Sequence, residues 1–374
     1  MMKGKDMNSS ENFSSCKKLS RRGFISAVAA GTASVLHLTT KKSFAGQSQK
    51  KFTDSLNRNV IISSIIEGIV PLGLPAQILI TTLCPDKLAT LAKDVPNEDK
   101  SDYKDSDAAC TINLSQTGAI SDSIDEEVST EKIFKTQAGI LLDAGTYSEG
   151  LSEKLDALQD EAQIPAIFID LSYGKLPNAY RTLGTLLGCE DRAELLASWI
   201  EDTQKKALAI STQQEAKFVF YAPKENGVLL KGNIDVQLDV IKALGCSAVT
   251  APYDYSNKSV SINELKSNQV DFIVFDDASV FSSITSKEGS AYEIWKDVQA
   301  IQECRYAASP AIMHSWFGSI IFAQSIGMLW LAAVMWPKEC NYSFEEEALE
   351  FYGLFYGLDK SSSDINSLPG IIAR

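Results

Sequence analysis

The sequence predicts an α/β protein made of two lobes that one long α-helix connects. Two observations support this fold class: β-branched apolar runs alternate with helical patterns in the first half of the chain, and the same alternation starts again in the second half. A long amphipathic stretch without Gly or Pro separates the two halves. The length of 374 residues exceeds what a single small core needs, so two lobes also fit the size of the chain.

The first 45 residues are expected to be an export signal. Arg21 and Arg22 stand immediately before an apolar run, residues 24–38, and Ser43 and Ala45 supply the small residues of a cleavage site. The pattern S-R-R-x-F predicts a twin-arginine signal, and therefore a protein that works in the periplasm or another extracytoplasmic part of the cell envelope. Whether the signal is cleaved or retained as an anchor stays open.

The first lobe is expected at residues 60–189, after a polar lead at 46–59. Short apolar runs predict its strands, and spaced leucines predict its helices. Pro85 is expected to open a second short helix that reaches Leu91. The acidic stretch 97–109 shows no periodicity and predicts a surface loop. The predicted strands are 60–66, 138–142 and 166–169, and the predicted helices are 75–83, 85–91 and 148–158.

The connecting helix is predicted at residues 190–214, and the second lobe at 215–374. The amphipathic stretch 191–213 would span about 35 Å as a helix, which is enough to cross from one lobe to another. Residues 315–336 carry no charge. Gly318, Gln324 and Gly327 interrupt this run and an acidic segment follows it, so a buried helix is expected rather than a membrane span. The strands of the second lobe are predicted at 218–221 and 271–275, with a helix at 236–244.

Charge and cysteine content exclude some functions and leave others open. The formal net charge of −13 argues against a nucleic-acid surface, because phosphate binding needs clustered Lys and Arg. Of the seven cysteines, six follow the signal, and none forms a C-x-x-C pair. These six allow 15 pairings, among which the sequence cannot select, and they can equally be small buried residues.

Several segments, taken in order, resemble one known family. They are 135–170, which includes GILLDAGTYSEGLSEKLDAL and QIPAIFIDLS, then NAYRTLGTLLGCEDRAE at 178–194, SVSINELKSNQVDFIVF at 259–275, VQAIQECRYAASP at 298–310, and the closing stretch 326–357. The chain is similar to the helix-linked periplasmic binding proteins that deliver iron-siderophores, haem and cobalamin to ABC importers. It departs from them at Cys304, where the family has Gly, and at the opening of the first lobe, where the match is poor.

The resemblance implies the class III fold, with two Rossmann-like lobes bridged by the long helix. It implies a monomer that captures a metal chelate in the cleft between the lobes. Its partners would be the permease subunits of an ABC importer. No resident cofactor is expected, although the ligand can contain a metal. Glu149 and Glu264, one in each lobe, match the glutamates that pair with arginines of the importer, and two separated ion pairs would fix the docking orientation.

Ligand-binding candidates lie in loops that follow strands, because ligands bind beyond the carboxyl ends of the strands in open α/β sheets. Tyr147, Lys231 and Trp316 are the main candidates, since aromatic faces suit a macrocycle or a catecholate and a Lys suits its negative charge. Packing at a lobe surface is the alternative for the two aromatic residues. His314, the one His outside the signal, is a further candidate, although a hydrogen-bonded structural role is the simpler explanation.

No catalytic residues are predicted, and the chain is not expected to be an enzyme. It has no P-loop, no dinucleotide fingerprint and no G-x-S-x-G elbow. Two alternatives remain open. One is an exported α/β enzyme that binds a cofactor or resembles a chelatase, and the other is an adhesion or sensing module. The sequence cannot tell which chelate is bound.

Overall fold

A computed structural model describes most of the chain from residue 48 onward. The described residues are 48–92, 133–136, 138–211, 218–222, 235–248, 262–267, 270–276, 278–310, 316, 322–358 and 361. The chain divides into two units, Met1–Ser43 and Phe44–Arg374. Every element described below belongs to the second unit, and the predicted signal with Arg21 and Arg22 lies outside the described residues.

An antiparallel hairpin of β1 (Gln49–Thr53) and β2 (Asn59–Ser63) opens the described chain. The fully buried Asp54 carboxylate accepts hydrogen bonds from the Arg58 guanidinium at 2.6 Å and from the Phe168 amide at 3.2 Å. Such charge-assisted bonds stabilise a buried carboxylate, and here they attach the hairpin to the first lobe. The predicted polar lead 46–59 therefore contains a strand that its composition does not indicate.

The sheet of the first lobe has three parallel strands in the order β3 (Ile69–Pro71), β4 (Ile140–Gly145), β5 (Ala166–Asp170). Successive residues of β4 alternate between two hydrophobic clusters, as a strand period of two requires. Ile140 and Leu142 belong to the main core, whereas Leu141 belongs to a smaller cluster on the opposite face. Two helices accompany this sheet, α1 (Leu74–Leu83) and α2 (Leu151–Ala162).

The predicted helix 85–91 is wrong. Only a single 3-10 turn, Pro85–Lys87, is present. The chain then forms a parallel bridge between Leu88 and Ile69 of β3, and the Ala89 amide donates to the Ile69 carbonyl at 2.9 Å. Pairing with β3 satisfies the backbone groups that a second helical turn would otherwise use.

A sharp corner joins α3 (Leu176–Leu187) to the long connecting helix α4 (Glu190–Ser211). Gly188 ends α3 in the left-handed conformation, with φ of 75°, which glycine adopts without steric cost. With 22 residues, α4 is about 33 Å long at 1.5 Å per residue. One face of α4, which includes Leu196, Ile200 and Ala207, is buried in the main core.

The second lobe repeats the α/β arrangement. Its described elements are β6 (Phe218–Ala222), α5 (Asp235–Ala243), β7 (Ser247–Ala248), α6 (Ile262–Ser267), β8 (Phe272–Phe275), α7 (Ala278–Ser286), α8 (Gly289–Trp295), α9 (Gln299–Gln302) and β9 (Tyr306–Ala308). The four strands are parallel and lie in the order β7, β6, β8, β9. The prediction of two Rossmann-like lobes bridged by one helix is thus confirmed.

Two helices complete the structure, α10 (Ala323–Met335) and α11 (Phe344–Tyr356). Nearly all of α10 is buried, and it packs against α4. Residues of β4, α4, α10 and α11 belong to one continuous hydrophobic cluster, so both lobes and the connecting helix share a core. In the part of the chain that the structure describes, no helix combines the length and apolar character that a membrane span needs.

Candidate functional site

The candidate site lies at the edge of the first-lobe sheet where the three parallel strands end. The register pairs Gly145, the last residue of β4, with Asp170, the last residue of β5. Beyond this pair the Leu171 amide donates to the Gly145 carbonyl at 2.8 Å, which holds the two following loops side by side. Tyr147 and Tyr173 each lie two residues past this hydrogen bond, so the strand register brings both tyrosines to the same edge.

Tyr147 occupies the loop between β4 and α2, and 67% of its surface is exposed. The loop ends at Gly150, whose φ of 77° allows the chain to turn into α2. A large aromatic side chain with this much exposure leaves its ring face available to a ligand. Tyr147 therefore stays a candidate for ligand contact.

Tyr173 occupies the neighbouring loop and connects the two lobes. Its hydroxyl donates a hydrogen bond to the Met328 sulfur of α10 at 3.5 Å. Burial raises the pKa of Tyr173, and the negative charge of Asp239 on α5 of the second lobe raises it further. Tyr173 was missed by the sequence analysis. Its position after β5, which matches the position of Tyr147 after β4, is the signal that would have found it.

Hydrogen bonds fix the loop that carries Tyr173. The Asp170 carboxylate accepts from the Ser172 amide at 2.8 Å and from the Ser172 hydroxyl at 2.5 Å. The Asp170 amide donates to the hydroxyl of Ser55, in the hairpin turn, at 3.0 Å. A loop that is hydrogen-bonded in this way loses little conformational entropy when a ligand binds, which favours affinity.

A half-buried carboxyl group, that of Asp143, lies on β4 below the Tyr147 loop. Burial raises the pKa of Asp143, and the hydrogen bond that its carboxylate accepts from the Ala144 amide at 2.9 Å offsets this only in part. In the part of the chain that is described, no group of three or more His, Cys, Asp or Glu side chains is arranged to hold a metal ion.

Trp316 lies in the core, with no exposed surface. Its indole nitrogen donates to the Tyr352 hydroxyl at 2.8 Å, and its ring lies 5.3 Å from that of Phe344. These contacts show that Trp316 packs against α11, which is the alternative considered above. They do not support the prediction that its ring faces a ligand. Lys231 and His314 lie outside the described residues, in segments that follow β6 and β9 in the sequence.

The two predicted docking residues belong to different lobes. Glu149 is exposed, immediately before Gly150 and α2. Glu264 belongs to α6, and its side chain lies outside the part that is described. The docking role of both residues stays a prediction.

A cavity of about 750 Å³ lies elsewhere, against α4 and α11. Trp199, Lys206 and Glu350 are among the residues that line it, and the half-exposed Lys206 forms an ion pair with the buried Glu347. The cavity shares no residue with the loops at the strand ends. Because ligands of open α/β sheets bind at the strand ends, we place the candidate site at the Tyr147 and Tyr173 loops and not in this cavity.

Comparisons with known proteins agree with the fold. A search of curated proteins finds no match. The chain is similar to an ABC transporter solute binding protein from Sulfurospirillum deleyianum, with 17% identity and a TM-score of 0.69, over 85% of this chain and 98% of that one. It is similar to a molybdate periplasmic binding protein from Haemophilus influenzae, with 13% identity and a TM-score of 0.59, over 83% and 99%. It is also similar to a periplasmic catecholate-siderophore binding protein from Vibrio cholerae, with 14% identity and a TM-score of 0.53, over 78% and 100%.

At such identities these similar structures show the fold alone, whereas a family profile shows which family the chain belongs to. A profile of the family described as "periplasmic binding protein" matches residues 89–308. The match spans more than half of the 374 residues, including most of the first lobe, the connecting helix and all strands of the second lobe. The chain therefore belongs to the periplasmic binding protein family, in its helix-linked class, whose members are solute-binding proteins of ABC transporters.

Proposed function

We propose that this protein captures a metal chelate between its lobes and delivers it to the permease subunits of an ABC importer. The chelate would be an iron-siderophore, haem or a cobalamin-like compound. The observation that carries the proposal is the pair of tyrosines on adjacent loops at the strand ends, one of which, Tyr173, also contacts α10. Two aromatic rings beside a cleft suit a large planar or aromatic ligand.

The competing ligand class is a small oxyanion, which the molybdate protein from Haemophilus influenzae binds. Oxyanion sites use convergent N–H donors and cationic groups, which match the charge and size of the anion. The exposed ring of Tyr147 offers instead a broad apolar face with a polar tip. This chemistry favours the chelate, as in the catecholate-siderophore protein from Vibrio cholerae. Lys231 would add a positive charge to meet an anionic chelate.

A ligand screen by thermal shift tests this proposal. We expect one chelate, among siderophores, haem and cobalamin, to raise the Tm, because ligand at 100 times its Kd stabilises the folded state by about 2.7 kcal/mol. Tyr147→Ala and Tyr173→Ala should weaken that chelate at least tenfold, whereas Tyr147→Phe, which keeps the ring, should weaken it less. Stabilisation by molybdate alone, or an affinity for the chelate in both alanine variants equal to that of the wild type, would contradict the proposal.

Delivery would depend on Glu149 and Glu264, each meeting an arginine of the importer. We expect Glu149→Lys and Glu264→Lys to abolish uptake of the chelate into cells, since a reversed charge repels the guanidinium group. Ligand affinity should stay the same, and Glu161→Lys, at the far end of α2, should leave uptake unchanged. If ligand affinity falls together with uptake, these glutamates belong to the ligand site instead.

The proposed location follows from Arg21 and Arg22. An N-terminal twin-arginine signal would carry the folded protein out of the cytoplasm. The exported protein would act as a monomer in the periplasm or another extracytoplasmic part of the cell envelope. Precursor carrying Lys in place of both arginines would then accumulate in the cytoplasm.

A further inference from the structure

Two cysteines meet where the first lobe joins the connecting helix. Cys84 ends α1, and Cys189 lies between α3 and α4. Cys84 is buried in the main core and Cys189 packs against that core. Both are free thiols in this structure.

Contacts on either side hold these two segments together. Thr82, two residues before Cys84, is hydrogen-bonded through its hydroxyl to the Tyr180 hydroxyl of α3 at 2.8 Å. The Thr82 carbonyl accepts from the guanidinium of Arg192, three residues after Cys189, at 3.3 Å. The neighbours of the two cysteines are therefore fixed relative to one another, and the cysteines do not depend on a flexible loop to meet.

The two thiol groups interact directly. A hydrogen bond from Cys189 lowers the pKa of Cys84, and the nearby positive charges of Lys87 and Arg192 act in the same direction. The pKa of Cys189 is raised, because its thiol is the donor in this bond and is partly buried. Cys84 is thus the sulfur on which a thiolate is favoured, and thiolate is the reactive form in disulfide chemistry.

We propose that Cys84 and Cys189 form a disulfide bond in the exported protein, linking the end of α1 to the start of the connecting helix. The proposal rests on the extracytoplasmic location given under the proposed function, since disulfides persist in oxidising compartments. Among the pairings of the five cysteines that the structure describes, this is the one that the packing of α1 against α3 and α4 supports.

The bond forms by exchange with an oxidant that itself contains a disulfide, such as glutathione disulfide or an oxidoreductase. The Cys84 thiolate attacks one sulfur of the oxidant and forms a mixed disulfide, while the other sulfur of the oxidant leaves as a thiolate. Cys189 then attacks the Cys84 sulfur, loses its proton and displaces the second oxidant sulfur. Two protein thiols lose two electrons, the oxidant gains them, and the two thiol protons pass to the released thiolates.

Non-reducing peptide mapping tests the bond in the purified full chain. The folded protein is equilibrated with glutathione disulfide and its remaining thiols are then alkylated. We expect a linked peptide that contains Cys84 and Cys189, a loss of two alkylatable thiols, and a Tm several degrees above that of the reduced protein, because the bond restricts the unfolded chain.

Single variants provide the controls. Cys84→Ser and Cys189→Ser should each eliminate the linked peptide and the response of the Tm to reductant, whereas Cys304→Ser, at an exposed cysteine, should keep both. Alkylation of Cys84 and Cys189 in the folded, oxidised protein would overturn the proposal, as would a linked peptide that contains only other cysteines. The experiment uses no transport ligand, so its outcome is independent of the ligand screen.

Discussion

Two aspartates show how the surroundings of a single residue decide the effect of burial. The side chain of Asp54 has no exposed surface, but its carboxylate accepts hydrogen bonds from two backbone amides of its own turn, from the Arg58 side chain and from the Phe168 amide. Asp143 is half-buried, and among the described residues its carboxylate accepts a hydrogen bond from one donor, the Ala144 amide. Hydrogen bonds therefore compensate the Asp54 carboxylate for its loss of water, whereas the charged form of the Asp143 carboxylate costs free energy in the folded state.

Asp143→Asn is expected to stabilise the protein near neutral pH. The raised pKa means that the folded state binds the proton more tightly than the unfolded state, so the wild type loses stability as the pH rises from the ordinary carboxyl value through the raised one. The loss is about 1.4 kcal/mol per unit of pKa difference, and Asn, which keeps the acceptor for Ala144, does not incur it. Urea unfolding at pH 4 and pH 7 measures the difference.

The control for this experiment is Asp160→Asn, at an exposed position on α2. We expect its stability relative to the wild type to be nearly the same at both pH values. If the advantage of Asp143→Asn does not grow between pH 4 and pH 7, Asp143 is not the titrating group.

At the scale of elements, helix α4 was predictable and the contacts around it were not. A long amphipathic pattern predicts the helix from sequence, and the observed range Glu190–Ser211 falls within the predicted 190–214. Arg192, however, donates both to the Thr82 carbonyl of α1 and to the Leu354 carbonyl of α11. These partners lie 110 and 162 residues away in sequence, a separation at which local patterns carry no information.

The same reasoning explains the elements that were missed or misplaced. Strand β1 is polar, and its position depends on the distant contact between Asp54 and Phe168. Residues after Lys87 have a helical pattern, but pairing of Leu88 with Ile69 takes the backbone into an extended form. In both cases a tertiary contact determined the local structure.

Gly184→Ala is expected to destabilise the corner between α3 and α4. An added Cβ at this position would lie 2.3 Å from the Cβ of Ala193, and real structures do not tolerate such a distance, so one helix must shift. Overpacking of this kind costs about 1–3 kcal/mol. Denaturant unfolding at constant temperature gives the free energy of unfolding directly.

Gly353→Ala in α11 is the matched comparison, because the nearest atom to its added Cβ, the Leu358 carbonyl oxygen, is 3.9 Å away. That variant should be unchanged or more stable by about 0.5–1 kcal/mol, since alanine favours the helix more than glycine does. Equal effects of the two substitutions would show that the α3–α4 corner has room to adjust.

For the whole molecule, the family and the fold could be predicted from sequence, whereas the exposure of individual loop residues could be predicted only in part. The order of elements determines which loops meet at the strand ends, and the position of Tyr147 in one of these loops was predicted in this way. Tyr173 and Trp316 show the difficulty, because both are aromatic residues in loops. One lies at the boundary between lobes, and the other is buried against Tyr352. Exposure depends on packing between distant helices, which no local pattern reports.

We expect the lobes to move little when ligand binds. A continuous helix without Pro or Gly bends gently and offers few hinge points, and α4 is packed against both α3 and α10. Small-angle scattering with and without a saturating amount of the chelate from the screen should give nearly equal radii of gyration. A compaction of several ångströms would instead require a hinge within or beside α4.

The shared core also determines when folding can be completed during synthesis. The buried face of α4 is covered by α10, and Trp199 of α4 packs against Phe351 and Phe355 of α11. More than a hundred residues separate α4 from these partners, so a ribosome must finish most of the second lobe before the core can close. Contacts of such long range make folding slow and leave apolar surface exposed in the meantime. We therefore expect the emerging chain to need protection from aggregation until its last helices have been made.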